Sequence, residues 1–178
     1  MVEILDCPFS KQIKDGLLNW FQLEEQKEVS GYTLQTKEYN EPKTPEIQKL
    51  FEWIESIINE VADKLSSSTR SLYTNPNRWF NKNFKIDTYW GLSYNPNSSV
   101  FPHNHFPHAL SFGYYVNVPV GSSPFTVLIN GEEDRDYHPK DGQLFVFNGS
   151  TKHVVNPSPV GGRKMIAGDI VYLSRFIN

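Results

Sequence analysis

The feature that most limits the fold is the C-terminal half of the chain. There, short runs rich in aromatic and β-branched residues alternate with clusters of Gly, Pro and Asn. The run 84-FKIDTYWGLSY-94 leads into turn material at Asn95-Pro96-Asn97-Ser98-Ser99. Further strands are predicted over residues 110–118, 125–129, 143–147, 153–155 and 164–173. The intervening segments 119–124, Asn130-Gly131, Lys140-Asp141-Gly142, Asn148-Gly149 and 157–162 carry the residues that turns require. Connections this short leave no room for helical crossovers between parallel strands. They predict an antiparallel sandwich or barrel rather than βαβ units.

The N-terminal part reads differently. Phe9, Ile13, Leu17, Trp20 and Phe21 recur three and four apart, which predicts one helix with Ser10 as its N-cap. A polar stretch over 30–43 follows as a connection. Thr44 then offers a cap, Pro45 suits a first helical turn and Glu46 complements the helix dipole. The stripe Ile47, Leu50, Phe51, Ile54, Ile57, Ile58, Val61 and Leu65 predicts a second helix over 45–65, stopped by polar residues at 66–69. Trp20, Trp53 and Trp79 are expected in the packing between helices and sheet. The expected fold class is mainly β with N-terminal helices (α+β), in a single domain over 1–178. Residues 1–70 would brace a β core formed by 71–178, with the stripe on the outer sheet face.

Composition narrows the function classes. Net charge is −3, with Lys and Arg scattered, so a nucleic-acid partner is not expected. Cys7 is the lone cysteine, which rules out an intrachain disulfide. The N-terminus is acidic where a signal peptide would be basic, and no apolar run approaches the roughly 18–20 residues of a membrane span. The expectation is a cytoplasmic protein with neither membrane nor nucleic acid as partner.

Against that background the histidines stand out. Of five, three fall within 103-HNHFPH-108. Pro102 and Pro107 disfavour a helix there, and in an extended segment His103 and His105 project to one side. Paired imidazoles on one face are half of a transition-metal site. His108 falls out of that phase, with a place at a pocket rim open to it. His138, before the Lys140-Asp141-Gly142 turn, is expected in solvent. A third ligand must come from elsewhere, and His153 lies fifty residues beyond His103. Ten residues further, Arg163 begins the last strand, and 157-PSPVGG-162 beside it offers no acid. An arginine in such a place suits a planar, two-pronged grip on an anion. Asp87 and Asp169, both on predicted strands, remain alternatives to His105 as a ligand.

Between Trp90 and Tyr172 the pattern W…Y-N-P-N-x-x-x-x-P-H-x-H…S-x-G-Y-Y-V-N-V-P…G-x-L-x-x-F-x-G-S…H…R resembles the 2-oxoglutarate- and Fe(II)-dependent oxygenases. It is most similar to small bacterial and phage members with H-x-H where prolyl hydroxylases have H-x-D. The resemblance implies a double-stranded β-helix (jelly-roll) core and Fe(II) held by His103, His105 and His153. It further implies 2-oxoglutarate as co-substrate, with its far carboxylate on Arg163 and with Tyr94 and Ser111 nearby. The implied reaction hydroxylates a substrate, small molecule or protein side chain, with release of succinate and CO2. Two departures matter. His105 replaces a carboxylate ligand, leaving the metal one unit more positive. Met165 stands where a serine often follows the arginine. A cupin-type metalloenzyme without 2-oxoglutarate shares H-x-H and a distal histidine, but usually adds a glutamate soon after, and residues 106–111 have none. A non-catalytic jelly-roll binding module is the third alternative. The N-terminal helices and the acidic loop 131–140 are expected to shape the substrate pocket.

Overall fold

The computed structural model describes residues 1–68, 84–131 and 133–173, so Trp79 lies outside the described residues. In chain order the elements are β1 (Val2–Asp6), α1 (Ser10–Leu23), β2 (Gln26–Glu28), β3 (Thr33–Thr36), α2 (Pro45–Ser68), β4 (Phe84–Tyr94) and β5 (Val100–His103). They continue with β6 (Leu110–Asn117), β7 (Phe125–Val127), β8 (Arg135–Tyr137), β9 (Gln143–Asn148), β10 (His153–Val155) and β11 (Arg163–Tyr172).

Both helices form where the apolar spacing puts them. In α1 the buried residues are Ile13, Leu17, Trp20 and Phe21. Ser10 is already helical, however. Phe9 occupies the N-cap position with no side-chain hydrogen bond, so the cap falls one residue earlier than expected. At the second helix Thr44 does cap: its hydroxyl accepts from the Ile47 N–H at 3.3 Å. Ile47, Leu50, Ile54, Ile58, Val61 and Leu65 are buried to 1% exposure or less.

The strands form two antiparallel sheets. The larger runs β1-β9-β6-β11-β4-β3-β2 and the smaller β5-β10-β7-β8. In the larger sheet the period-two alternation divides the side chains cleanly. Leu110, Phe112, Tyr114 and Val116 of β6, Leu144 and Val146 of β9, and Ile166 and Ile170 of β11 face the helices in one cluster. Tyr115, Phe145, Phe147, Met165 and Ala167 face the other way, with Leu92 and Tyr94 of β4, and meet Phe125, Val127 and Val155 of the smaller sheet. The α2 stripe therefore lies on the outer face, as expected, and the space between the sheets is left for the site. Helix α1 approaches closely only because residue 91 is glycine, where a Cβ would stand 2.6 Å from the Phe21 ring.

The segment 30–43 is not merely a connection. Thr33–Thr36 extends the larger sheet by pairing with β4, with Thr33 opposite Tyr94. No helix among the described residues is long and apolar enough to cross a membrane.

Candidate metal centre

The three histidines meet because β5 and β10 are direct neighbours, with His153 in register opposite His103. His105 lies two residues past the end of β5 and turns to the same side. One potential ligand atom from each ring falls within 4.8 Å of the others. Ring centroids are 4.3 Å apart for His103 and His153, and 5.2 Å for His105 and His153, whose planes are 1° from parallel.

Hydrogen bonds fix the orientation of each ring. The Nδ1–H of His103 donates to the Phe101 carbonyl at 2.8 Å, and that of His153 to the Thr151 carbonyl at 2.9 Å. His105 places Nδ1 2.9 Å from the Asp169 carboxylate. Each partner can only accept, so each Nδ1 carries a proton and Nε2 is the ring atom left to bind a metal. Burial, ahead of the neighbouring imidazoles, lowers the pKa of His153 to about 3 and moves that of His103 down as well. Three imidazoles whose ligand atoms converge in a small volume fit a divalent transition metal.

Asp87 and Asp169 do not join this cluster. Asp169 stands behind His105, and Asp87 lies 3.5 Å from His108 Nε2 in a place where β4 and β11 shift register. His108 reaches the cavity wall, and His138 is exposed, both as the sequence allows.

The cluster opens into a cavity of about 570 Å3 between the sheets. Buried Phe125, Phe145, Phe147, Tyr115 and Met165 line it, together with the more exposed Trp90, Phe101, Thr88 and Glu38. The helices do not line it, nor do the described residues of 131–140; Val29, Ser30 and Gln35 from β3 and the turn before it do. Sequence reading missed those residues because their strands are polar and short.

The expected co-substrate residues are dispersed. Tyr94 lines the cavity, is 5% exposed, and has its pKa raised by burial against the opposing pull of Arg163. Arg163 is 2% exposed, with its guanidinium carbon 3.8 Å from the centroid of the Tyr94 ring. Its Nη1 donates to the Ser123 carbonyl at 2.8 Å, while Nε has no acceptor. Among the described residues no carboxylate pairs with it. Arg163 lines a small void and not the main cavity; Tyr94 and Val155 line both. Ser111 does not line the cavity itself; its hydroxyl donates at 2.7 Å to Asp169, which does.

No protein-family model matches the sequence, and no curated protein matches it. Solved structures do match in fold. A Pseudomonas putida prolyl-4-hydroxylase superposes with a TM-score of 0.69 at 13% identity, over 97% of this chain and 93% of that one. A 2OG-Fe(II) oxygenase family oxidoreductase from Burkholderia pseudomallei gives 0.68 at 9% identity, over 96% and 84%. HygX from Streptomyces hygroscopicus, solved with nickel and 2-oxoglutarate bound, gives 0.64 at 10% identity, over 96% and 82%. The resemblance drawn from the motifs thus holds at the level of fold: the chain shares the architecture of 2-oxoglutarate/Fe(II) oxygenases.

Proposed function

We propose that this protein is a 2-oxoglutarate- and Fe(II)-dependent dioxygenase with a double-stranded β-helix core. The observation that carries this reading is the convergence of His103, His105 and His153 at a cavity between two sheets, in a fold shared with such oxygenases. The three Nε2 atoms would hold the metal on one side and leave the cavity side for co-substrate and oxygen. Iron and 2-oxoglutarate together supply the oxidising power: one O2 is consumed, 2-oxoglutarate becomes succinate and CO2, and a substrate C–H becomes C–OH.

The chain's own contribution is placement and exclusion of water. The carbonyls of Phe101 and Thr151 and the Asp169 carboxylate hold the imidazoles in one tautomer, ready to bind without rearrangement. Phe125 and Phe147 pack at 4.8 and 4.9 Å from the His153 ring and keep that side dry. Trp90 stacks on His105 at 5.9 Å. Arg163, a buried cation without a carboxylate partner among the described residues, is the complement to an anion, and the distal carboxylate of 2-oxoglutarate supplies one. Tyr94, next to that cation, also lines the cavity, and its hydroxyl lies 3.8 Å from the Met165 Sδ. Loss of the guanidinium in Arg163→Ala should weaken 2-oxoglutarate by roughly 2–5 kcal/mol with metal content unchanged.

The test is turnover without substrate. Protein loaded anaerobically with Fe(II) and exposed to oxygen and 2-oxoglutarate should form succinate slowly, and His103→Ala should not. Metal binding with neither succinate formation nor 2-oxoglutarate binding would replace this reading with a cupin-type metal site.

A further inference from the structure

We infer that Asp169, held by Ser111, is the positioning residue of His105 and returns to the metal centre the negative charge that three imidazoles lack. The inference rests on the metal reading above. Its basis is a chain of contacts running from the middle of the larger sheet to the histidine cluster. In β11, Asp169 is paired with Ser111 of β6 on one side and Thr88 of β4 on the other. Its Oδ1 receives the Ser111 hydroxyl at 2.7 Å and lies 2.9 Å from His105 Nδ1. Its Oδ2 is 3.5 Å from His108 Nδ1, which also approaches the His105 carbonyl at 3.1 Å. Asp169 is 5% exposed and Ser111 1%.

Two things follow from that placement. First, His105 is the one member of the cluster outside any strand, and its ring is not fixed by a backbone carbonyl as His103 and His153 are. Its direction is set instead by a carboxylate that belongs to the opposite sheet. Ser111 in turn holds that carboxylate, so the position of Oδ1 is defined by two donors. Second, a buried carboxylate needs compensating positive charge. Its neighbours among the described residues are two histidines and a serine, with neither lysine nor arginine. A divalent metal on His105 Nε2 polarises that ring and gives Asp169 the electropositive N–H it requires. The carboxylate in return makes the imidazole a stronger donor. Three neutral imidazoles leave a divalent ion at +2, and Asp169 brings the local sum to +1. A directly bound carboxylate in place of His105 would give the same sum. The aspartate has moved one ring outward.

Cobalt(II) tests this, because its visible spectrum reports ligand geometry without turnover. Wild type, Asp169→Asn, Ser111→Ala, His105→Asp and the double variant His105→Asp/Asp169→Asn are titrated with Co(II) alone, with the fold of each checked by circular dichroism. Asp169→Asn should keep one site but weaken Co(II) by about 10–100-fold and shift its bands. Ser111→Ala should weaken it in the same direction by less. With aspartate at position 105 the second carboxylate has no ring to orient, so adding Asp169→Asn should cost nothing or improve affinity. Equal weakening by Asp169→Asn in both backgrounds, or an unchanged affinity and spectrum, would overturn the inference. Failure of wild type to bind Co(II) removes both this inference and the metal reading. Binding with the expected coupling but no succinate leaves the role of Asp169 intact and removes the oxygenase alone.

Discussion

Replacing Arg163 by methionine separates a cation kept for a ligand from one kept for the fold. The guanidinium is 2% exposed, so its burial costs several kcal/mol. Against this stand the hydrogen bond to the Ser123 carbonyl, worth about 1.5–3 kcal/mol for a charged donor, and the Tyr94 ring, worth about 2 kcal/mol when desolvated. The unmatched Nε adds a penalty of its own. The sum is close to zero. Arg163→Met, of similar length and apolar, should therefore change the stability of the ligand-free protein by less than about 2 kcal/mol. Breaking a satisfied buried charge pair costs roughly 3–5 kcal/mol instead. The ligand reveals the difference. At a hundredfold excess over its dissociation constant, 2-oxoglutarate should stabilise metal-loaded wild type by about 2.7 kcal/mol and leave the variant where it was. Urea unfolding with and without 2-oxoglutarate measures both quantities. A ligand-free loss of more than about 3 kcal/mol would show that the guanidinium is kept for the fold, and full retention of the ligand effect that 2-oxoglutarate does not use it.

Metal-free protein should lose stability as pH falls from about 6.5 toward 3. His153 stays neutral down to about 3 in the fold, so the unfolded chain binds more protons across that window. Its share between pH 7.5 and pH 5 is on the order of 2 kcal/mol, and a flat profile in chemical denaturation would contradict it. Asp169 does not contribute there. Burial pushes its carboxyl up, but the His105 hydrogen bond and charge, with Ser111 and His108, outweigh that and hold it below the ordinary range. Its stabilisation is lost only on acidifying below the unfolded pKa of about 3.9. Ile54→Ala, on the helix face remote from the cavity and 0% exposed, should cost about 2–5 kcal/mol with metal stoichiometry preserved. Loss of the metal together with that stability would place the helix at the site after all.

What the sequence disclosed and what it hid follow one physical division. The central strands β6, β9 and β11 are buried on both faces over much of their length, so they read as mostly apolar runs, and β4 as an aromatic and β-branched one. The segment 84–94 was legible residue for residue. The strands that escaped reading are β1, β2, β3, β5 and β8, and all but β3 are edges of a sheet. An edge strand is half solvated and carries little hydrophobic signal: β2 is Gln-Lys-Glu and β8 is Arg-Asp-Tyr. H-x-H and the distal histidine were visible because ligand chemistry restricts residue type. The partner of His105 was not. Asp169 was one of two carboxylates in contention for the metal itself, and only the register of β11 against β6 puts it on Ser111 and behind the ring. Arg163 was legible as a cation suited to an anion but not as one lying beneath Tyr94, since that contact comes from the pairing of the two residues across β11 and β4.

Anaerobic equilibrium dialysis against Fe(II) reads out whether His103, His105 and His153 hold a metal. Wild type should bind about one Fe(II) per chain, and His103→Ala and His153→Ala should each bind none at the same free concentration while keeping the wild-type circular dichroism spectrum. Stoichiometric Fe(II) in both variants, or none in wild type, would contradict the account.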